Sequence, residues 1–218
     1  MKILNKLFQA KYYTFIFMSC IFLSSCGGAK YTYFFDEGKY LDFSEGTWIL
    51  NNTKSNSEGY YDAELYNTAK FGFRRILGDS LLEINDVRAT KLIPPKINFN
   101  LSKEELIKLH DLSACDFLIN IKGNIISNDA GSIAIAKSDE PDYYHKNEAT
   151  ASIKIYDLKL GTLISSSLVN GKAVDESSAF DNKSHTYIMT SAHRAMVNGA
   201  SNLIAKYHKY GTRNKKSK

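Results

Sequence analysis

Two alternating runs separated by three residues restrict the fold more than any other feature of this chain. Residues 150–158 (TASIKIYDL) carry apolar side chains at Ala151, Ile153 and Ile155, and a second run returns over residues 162–169 after Lys159-Leu160-Gly161. A period of two sends successive side chains to opposite faces of a strand, so this stretch reads as an antiparallel hairpin with one preferred face. Asp157 and Gly161 bracket its turn, where an Asp carboxylate can accept backbone N–H groups and Gly tolerates positive φ. Both residues read as structural.

The segments around the hairpin supply partners for it. Residues 31–35 (YTYFF) are either a first edge strand or an aromatic foot at a lipid interface, and the strand is the preferred reading. Residues 47–50 (TWIL) read as a strand closed by the polar turn 51–59. Leu65, Ala69, Phe73 and Ile76 fall on one face of a helix over residues 61–77, and Gly78-Asp79 ends it with Gly at a left-handed cap. A short strand follows at 81–84, and Pro94-Pro95 breaks the chain. Ser102 and Glu105 form a capping box that starts a helix to about His110. Residues 116–126 alternate as a strand, whereas the polar stretch 127–147 reads as a loop with at most a brief strand at 132–136. Met189, Ala192, Met196, Gly199, Leu203 and Tyr207 mark a long terminal helix over 184–207, thinned on its packing side by Ala195, Gly199 and Ala200.

No internal repeat is visible. This order predicts an α/β (mixed α+β) fold: a mixed sheet with a central hairpin and about three helices packed on it. A content of 44% hydrophobic and 23% charged residues over 218 positions supports one globular domain and excludes a disordered or polytopic membrane chain.

The amino-terminal residues carry an address. Lys2, Lys6 and Lys11 form a positive region with no acidic residue before Asp36, and residues 12–23 are an apolar run too short to span a bilayer. Leu23-Ser24-Ser25-Cys26-Gly27 then resembles the lipobox of bacterial lipoproteins. That resemblance implies cleavage before Cys26, acylation of its thiol with palmitate-like chains, and a bilayer anchor worth ~0.8 kcal/mol per buried methylene. It divides the chain into a signal peptide (1–25), a lipidated tether (26–30), a single globular domain (31–207) and a basic disordered tail (208–218). Gly27 after the cysteine implies the outer membrane, and the lack of an acid in residues 27–35 favours a periplasm-facing domain over a surface-exposed one.

Cysteine and charge arithmetic narrows the partners. With Cys20 lost in the signal and Cys26 acylated, Cys115 has no mate for a disulfide within the chain. The chain has 28 basic and 23 acidic residues; removing the three signal lysines leaves 25 against 23, a net charge of +2. Residues 206–218 hold six of these basic groups and no acid, so residues 26–205 carry 19 against 23, or −4. A mildly acidic domain with no basic aromatic face argues against nucleic acid as a partner. The tail reads as a solvated terminus, with anionic lipid or lipopolysaccharide phosphate as the alternative.

Three stretches resemble an envelope lipoprotein superfamily that includes curli-secretion lipoproteins, activators of penicillin-binding proteins and domains similar to the TolB amino-terminal domain. They are the helix end AKFGFRRILGD, the transition Cys115-Asp116-Phe117-Leu118-Ile119, and the hairpin ASIKIYDLKLG leading to LISSS. The resemblance spans about residues 45–207 by pattern rather than identity. It implies helices on a mixed sheet and action through protein–protein contact. The long amphipathic insertion of the curli-type pore is not evident.

Chemistry-bearing motifs point away from catalysis. His110, His145, His185, His193 and His208 form neither H-x-x-x-H nor H-E-x-x-H, so no zinc-protease ligand set is expected. His110 near Cys115 suggests a Cys/His pair only weakly, because Asp111 and Asp116 would raise the thiol pKa. Cys115 reads as a buried small side chain. Asp139, Glu140 and Asp142 are interrupted by Pro141 and followed by no glycine-turned loop, so a calcium site is not expected. No catalytic residue, cofactor or metal is assigned. The paired tyrosines Tyr60-Tyr61 and Tyr143-Tyr144 are the contact candidates, because tyrosine buries large area while keeping a polar tip.

The expectation is a membrane-anchored, non-catalytic interaction module of an envelope assembly serving secretion, efflux or cell-wall synthesis. Its partners would be the bilayer, through Cys26, and an unidentified envelope protein, with self-association compatible. The alternatives are an envelope-polymer hydrolase and a small-ligand or lipid carrier.

Overall fold

The structure is a computed structural model that describes residues 28–57, 59–129, 133–135, 144–176 and 186–211. The lipobox cysteine, Tyr143, the acidic run at Asp139, Glu140 and Asp142, His185, and residues 212–218 lie outside the described residues.

Six strands form a mixed sheet in the order β1-β7-β6-β4-β2-β3. They are β1 (Lys30–Glu37), β2 (Trp48–Leu50), β3 (Leu81–Glu83), β4 (Phe117–Asn128), β6 (Tyr144–Asp157) and β7 (Thr162–Glu176). β2 runs parallel to both β3 and β4, whereas β4, β6, β7 and β1 are successively antiparallel. The alternating hairpin is therefore β6–β7, in the interior of the sheet. Gly161 adopts φ +64° in its turn, and Asp157 Oδ1 accepts from Leu160 N at 2.7 Å. Residues 31–35 belong to edge strand β1, with Lys30 opposite Lys172 and Phe34 opposite Leu168.

Helices α1 (Gly59–Leu77) and α4 (Ala192–Tyr210) cover one face, and α2 (Ile84–Thr90) and α3 (Lys103–Ser113) the other. α1 buries Leu65, Ala69, Phe73 and Ile76, the stripe its periodicity gives, and Gly78 follows it at φ +61°. α3 opens with the Ser102–Glu105 capping box and closes on Ala114, whose φ of 55° is left-handed. α4 buries Ala195, Met196, Gly199, Ala200, Leu203 and Tyr207. The Tyr207 hydroxyl is enclosed by Ser165 Oγ at 2.7 Å and Ser167 Oγ at 2.8 Å, and burial pushes its pKa up. Cys115 is buried and its thiol pKa is likewise raised by burial.

The sheet differs from the sequence expectation where hydrophobic patterning is silent. The stretch 127–147 departs from the loop reading at both ends, where β4 continues to Asn128 and β6 begins at Tyr144, while the brief strand expected at 132–136 is β5 (Ile133–Ile135), paired with β8 (Thr186–Ile188) in a separate two-stranded sheet. The extended ends of β6 and β7 carry few apolar side chains, so backbone pairing from Tyr144↔Glu176 to Glu148↔Lys172 marks them as strand, with Asn147 and Ala173 buried between polar neighbours. The terminal helix starts at Ala192, not near residue 184, because Ser191 caps it by accepting from Arg194 N at 3.3 Å. It also continues to Tyr210, past the expected end at 207. The described residues hold four helices rather than three; α2 has only Ile84 and Val87 buried, too short a pattern to reveal a period.

Candidate functional site

A surface groove of about 650 Å³ lies between α1 and α4. Its geometry follows from two helices lying side by side in the same direction. Tyr61 stacks on His193 at 3.8 Å between ring centroids near the helix starts, and Gly72 meets Ile204 two-thirds of the way along. A Cβ on Gly72 would lie 2.8 Å from Ile204 Cγ2, so glycine lets the two backbones approach there. Beyond that contact the helix surfaces part and leave the groove.

α1 thus carries two stripes. One is the buried set already described. The other is Tyr60, Glu64, Asn67, Phe71 and Arg75, at spacings of four, three, four and four, which lines the groove. Tyr60 is 76% exposed and Phe71 69% exposed, so two large aromatic side chains face outward on one wall. Small side chains, Ser201 and Ala205, form the opposing wall from α4. Charge is distributed along the groove's length. At the starting end His193 Nε2 donates to Glu64 Oε2 at 2.5 Å. At the far end stand Arg75, its guanidinium 6.0 Å from the Phe71 ring centroid, and His208.

The starting end of both helices is also where β1 begins. Ala192 N donates to Asn128 Oδ1 at 3.0 Å, Asn128 pairs with Asn147, and the neighbouring Glu148 pairs with Lys172, which lies opposite Lys30. Lys30 is four residues from Cys26, a span of at most roughly 14 Å when extended. The groove therefore begins at the end of the domain nearest Cys26 and runs away from it.

The sequence candidates divide accordingly. Tyr60 lines the groove and is exposed. Tyr61 is not a free contact residue: it is half-buried against His193 and makes an edge contact with Tyr60 at 5.6 Å, so it supports Tyr60 instead. Tyr144 opens β6, and neither its side chain nor Tyr143 is among those described. The structure does not bring the Tyr60 pair together with an equivalent described pair. Phe71, Arg75 and His208 were not singled out from sequence, although an exposed phenylalanine in register with Tyr60 was the available signal.

The residues that could suggest chemistry are engaged otherwise. His110 Nδ1 lies 2.9 Å from the Cys115 carbonyl oxygen rather than at the thiol, and Cys115 Sγ is 3.6 Å from Ser113 O. Asp116 Oδ2 accepts from Thr47 N at 2.8 Å and Thr47 Oγ1 at 3.0 Å; the backbone N–H chiefly holds its carboxyl below the usual range. Glu83 is lowered principally by Lys70, whose Nζ is 2.6 Å away, and it accepts from Tyr66 Oη at 3.0 Å. Among the described residues, no group of three or more His, Cys, Asp or Glu side chains is placed to hold a metal ion. No described helix is long and apolar enough to cross a membrane.

No protein-family model matches the chain, and no curated protein matches it. Solved structures with a partly similar layout include a PelC dodecamer from Paraburkholderia phytofirmans, with a TM-score of 0.44 and 8% identity over 82% of this chain and 98% of that one. A Helicobacter pylori protein labelled a neuraminyllactose-binding hemagglutinin homolog scores 0.41 at 15% identity, covering 83% and 89% of the two chains. Lipoprotein GNA1162 from Neisseria meningitidis scores 0.35 at 12% identity, covering 65% and 86%. At these scores the similarities carry no argument about family or activity.

Proposed function

We propose that this protein is a lipid-anchored, periplasm-facing module of the outer membrane that acts without catalysis, by docking another envelope protein in the α1–α4 groove. The observation that carries the docking reading is the second stripe of α1. Tyr60 and Phe71 stand exposed on a rigid helix whose other face is fixed in the core, at the rim of a groove floored by small side chains. Aromatic anchors on a preorganised surface are the groups that dominate protein interfaces. The anchoring reading rests on Leu23-Ser24-Ser25-Cys26 and the positive, apolar leader before it.

Two measurements test this reading. Cys26→Ala should abolish acyl labelling and leave the unprocessed chain; normal processing and membrane retention would remove the anchor. Tyr60→Ala with Phe71→Ala should leave the fold intact while eliminating an envelope protein recovered by in-cell crosslinking of tagged protein. Turnover of peptidoglycan fragments by the purified chain would instead favour the hydrolase reading.

A further inference from the structure

We infer that the occupant of the groove is one amphipathic helix of the partner protein, lying antiparallel to α1 and α4, with an acidic first turn. This rests on the docking reading above and specifies the segment it would capture.

The shape of the groove sets the first part of this statement. Its walls are two helices, its long direction follows them, and its lining repeats at helical spacing through Tyr60, Glu64, Phe71 and Arg75. Apolar side chains at i, i+3, i+4 and i+7 on an incoming helix fit a groove of this kind. The distance along α1 from Glu64 to Arg75 is roughly 16 Å at ~1.5 Å per residue, or three turns. A helix satisfies its own backbone donors and acceptors, so it can lie against Tyr60, Phe71 and Ile204 without drawing partners from the groove's polar side chains.

Charge sets the direction. Both helices end at the same end of the groove, so their partial negative dipole ends lie together, beside the side chains of Arg75 and His208. An antiparallel helix brings its positive amino-terminal end to that place. Acidic residues are favoured in a first turn and basic ones in a last turn. In this direction the acidic first turn meets Arg75 and His208. A parallel helix would align three dipoles and bring its basic last turn against Arg75.

The same geometry disfavours a second copy of the chain as occupant. Copies anchored through Cys26 in one leaflet share a symmetry axis along the bilayer normal, and α1 begins at the anchored end. With α1 directed away from the bilayer, two such helices would run in the same direction, which is not the antiparallel arrangement inferred here.

The test uses the full chain in its native envelope, with the photocrosslinking amino acid p-benzoyl-phenylalanine placed singly at Tyr60, Phe71 or Arg75, and adducts mapped by peptide sequencing. All three positions should mark one segment of one other protein, with the Arg75 contacts lying amino-terminal to the Tyr60 contacts by about 15 residues. The Phe71 adduct should fall roughly fivefold or more in Arg75→Glu, without a change in melting temperature. The reverse order, a mapped strand or loop, or no response to Arg75→Glu would overturn the antiparallel helix while leaving docking in place. Adducts only to a second copy would overturn the stated occupant. Adducts only to lipid, or none, would overturn the docking reading and this inference together.

Discussion

On one face of the sheet, α1 and α4 bury Leu65, Phe73, Met196, Leu203 and Tyr207 across β4, β6 and β7. On the other, α2, α3 and the segment between them seal a smaller cluster around Ile49, Ile84, Leu106, Leu118, Tyr156 and Leu158. The β6–β7 part of that second face stays partly open and polar, with half-buried Ser152, Lys154, Ser166 and Asn170. A side chain there needs only to suit water. The helices of the first face have completed their core and still carry Tyr60 and Phe71 outward. Ile107 on α3 and Leu92 after α2 are exposed as well, so it is the pairing of Tyr60 with Phe71 on one stripe lining a concave surface, not exposed apolar area alone, that singles out the groove.

Several substitutions would break or sharpen this contrast. The largest effect is expected for Ala200→Asp, which places a carboxylate at a fully buried site between α4 and the sheet. An uncompensated buried charge costs about 3–5 kcal/mol, so urea denaturation should show near-complete loss of stability. An unchanged midpoint would reject the packing of the first face. On the second face, Leu106→Ala should cost about 2–4 kcal/mol, because a buried leucine is truncated beneath a short helix that can relax. Equal losses at these two sites would argue that the faces are equally rigid.

Tyr207→Phe should cost about 1–2 kcal/mol by thermal melting, since Ser165 and Ser167 lose their shared partner inside the first core. Asp116→Asn tests the strand junction under both faces. The Asp116 carboxyl is held below its ordinary value chiefly by Thr47 N–H, so its contribution is complete above about pH 4 and is lost as pH falls through the lowered folded value. The variant should therefore be less stable at neutral pH and lose less on acidification; a parallel pH profile for both proteins would reject this role. Smallest of all, Phe71→Ala should change stability by no more than about 0.5 kcal/mol, as befits a side chain 69% exposed. A larger loss would mean that the outward stripe serves the core.

Much of this organisation is legible from residue order. The Ser102–Glu105 box, the α1 stripe, the β6–β7 alternation and the Gly161 turn are local devices, each satisfied by residues a few positions apart. The groove is not of that kind. Tyr60 alone suggests a contact residue, but its wall from Ser201 and Ala205 comes from a helix about 140 positions later. Tyr61 illustrates the converse: its neighbour Tyr60 is exposed, yet His193 covers its ring. No local pattern distinguishes two adjacent tyrosines when a distant side chain decides which one is buried.

The strand boundaries separate in the same way. Through most of β6 and β7 apolar alternation marks the strands; toward Tyr144 and Glu176 that pattern fades, and the hydrogen-bonded ladder, with Asn147 and Ala173 buried, extends them. The register slips between Ile155 and Tyr156, where Ile155 faces Ser165 and Tyr156 faces Leu163, so Ile164 is the extra residue of a bulge. That bulge sends Leu163 to the second core and Ile164 to the first. Residue order alone marks α1, α3, α4 and the central β6–β7 hairpin and the apolar side of each, because periodicity and capping act over a few residues; it leaves α2 and the polar strand ends unmarked. Tertiary structure alone decided that α1 and α4 run in parallel, that Gly72 admits Ile204, and that Tyr60 and Phe71 border one groove, because those outcomes depend on the close packing of residues far apart in the chain.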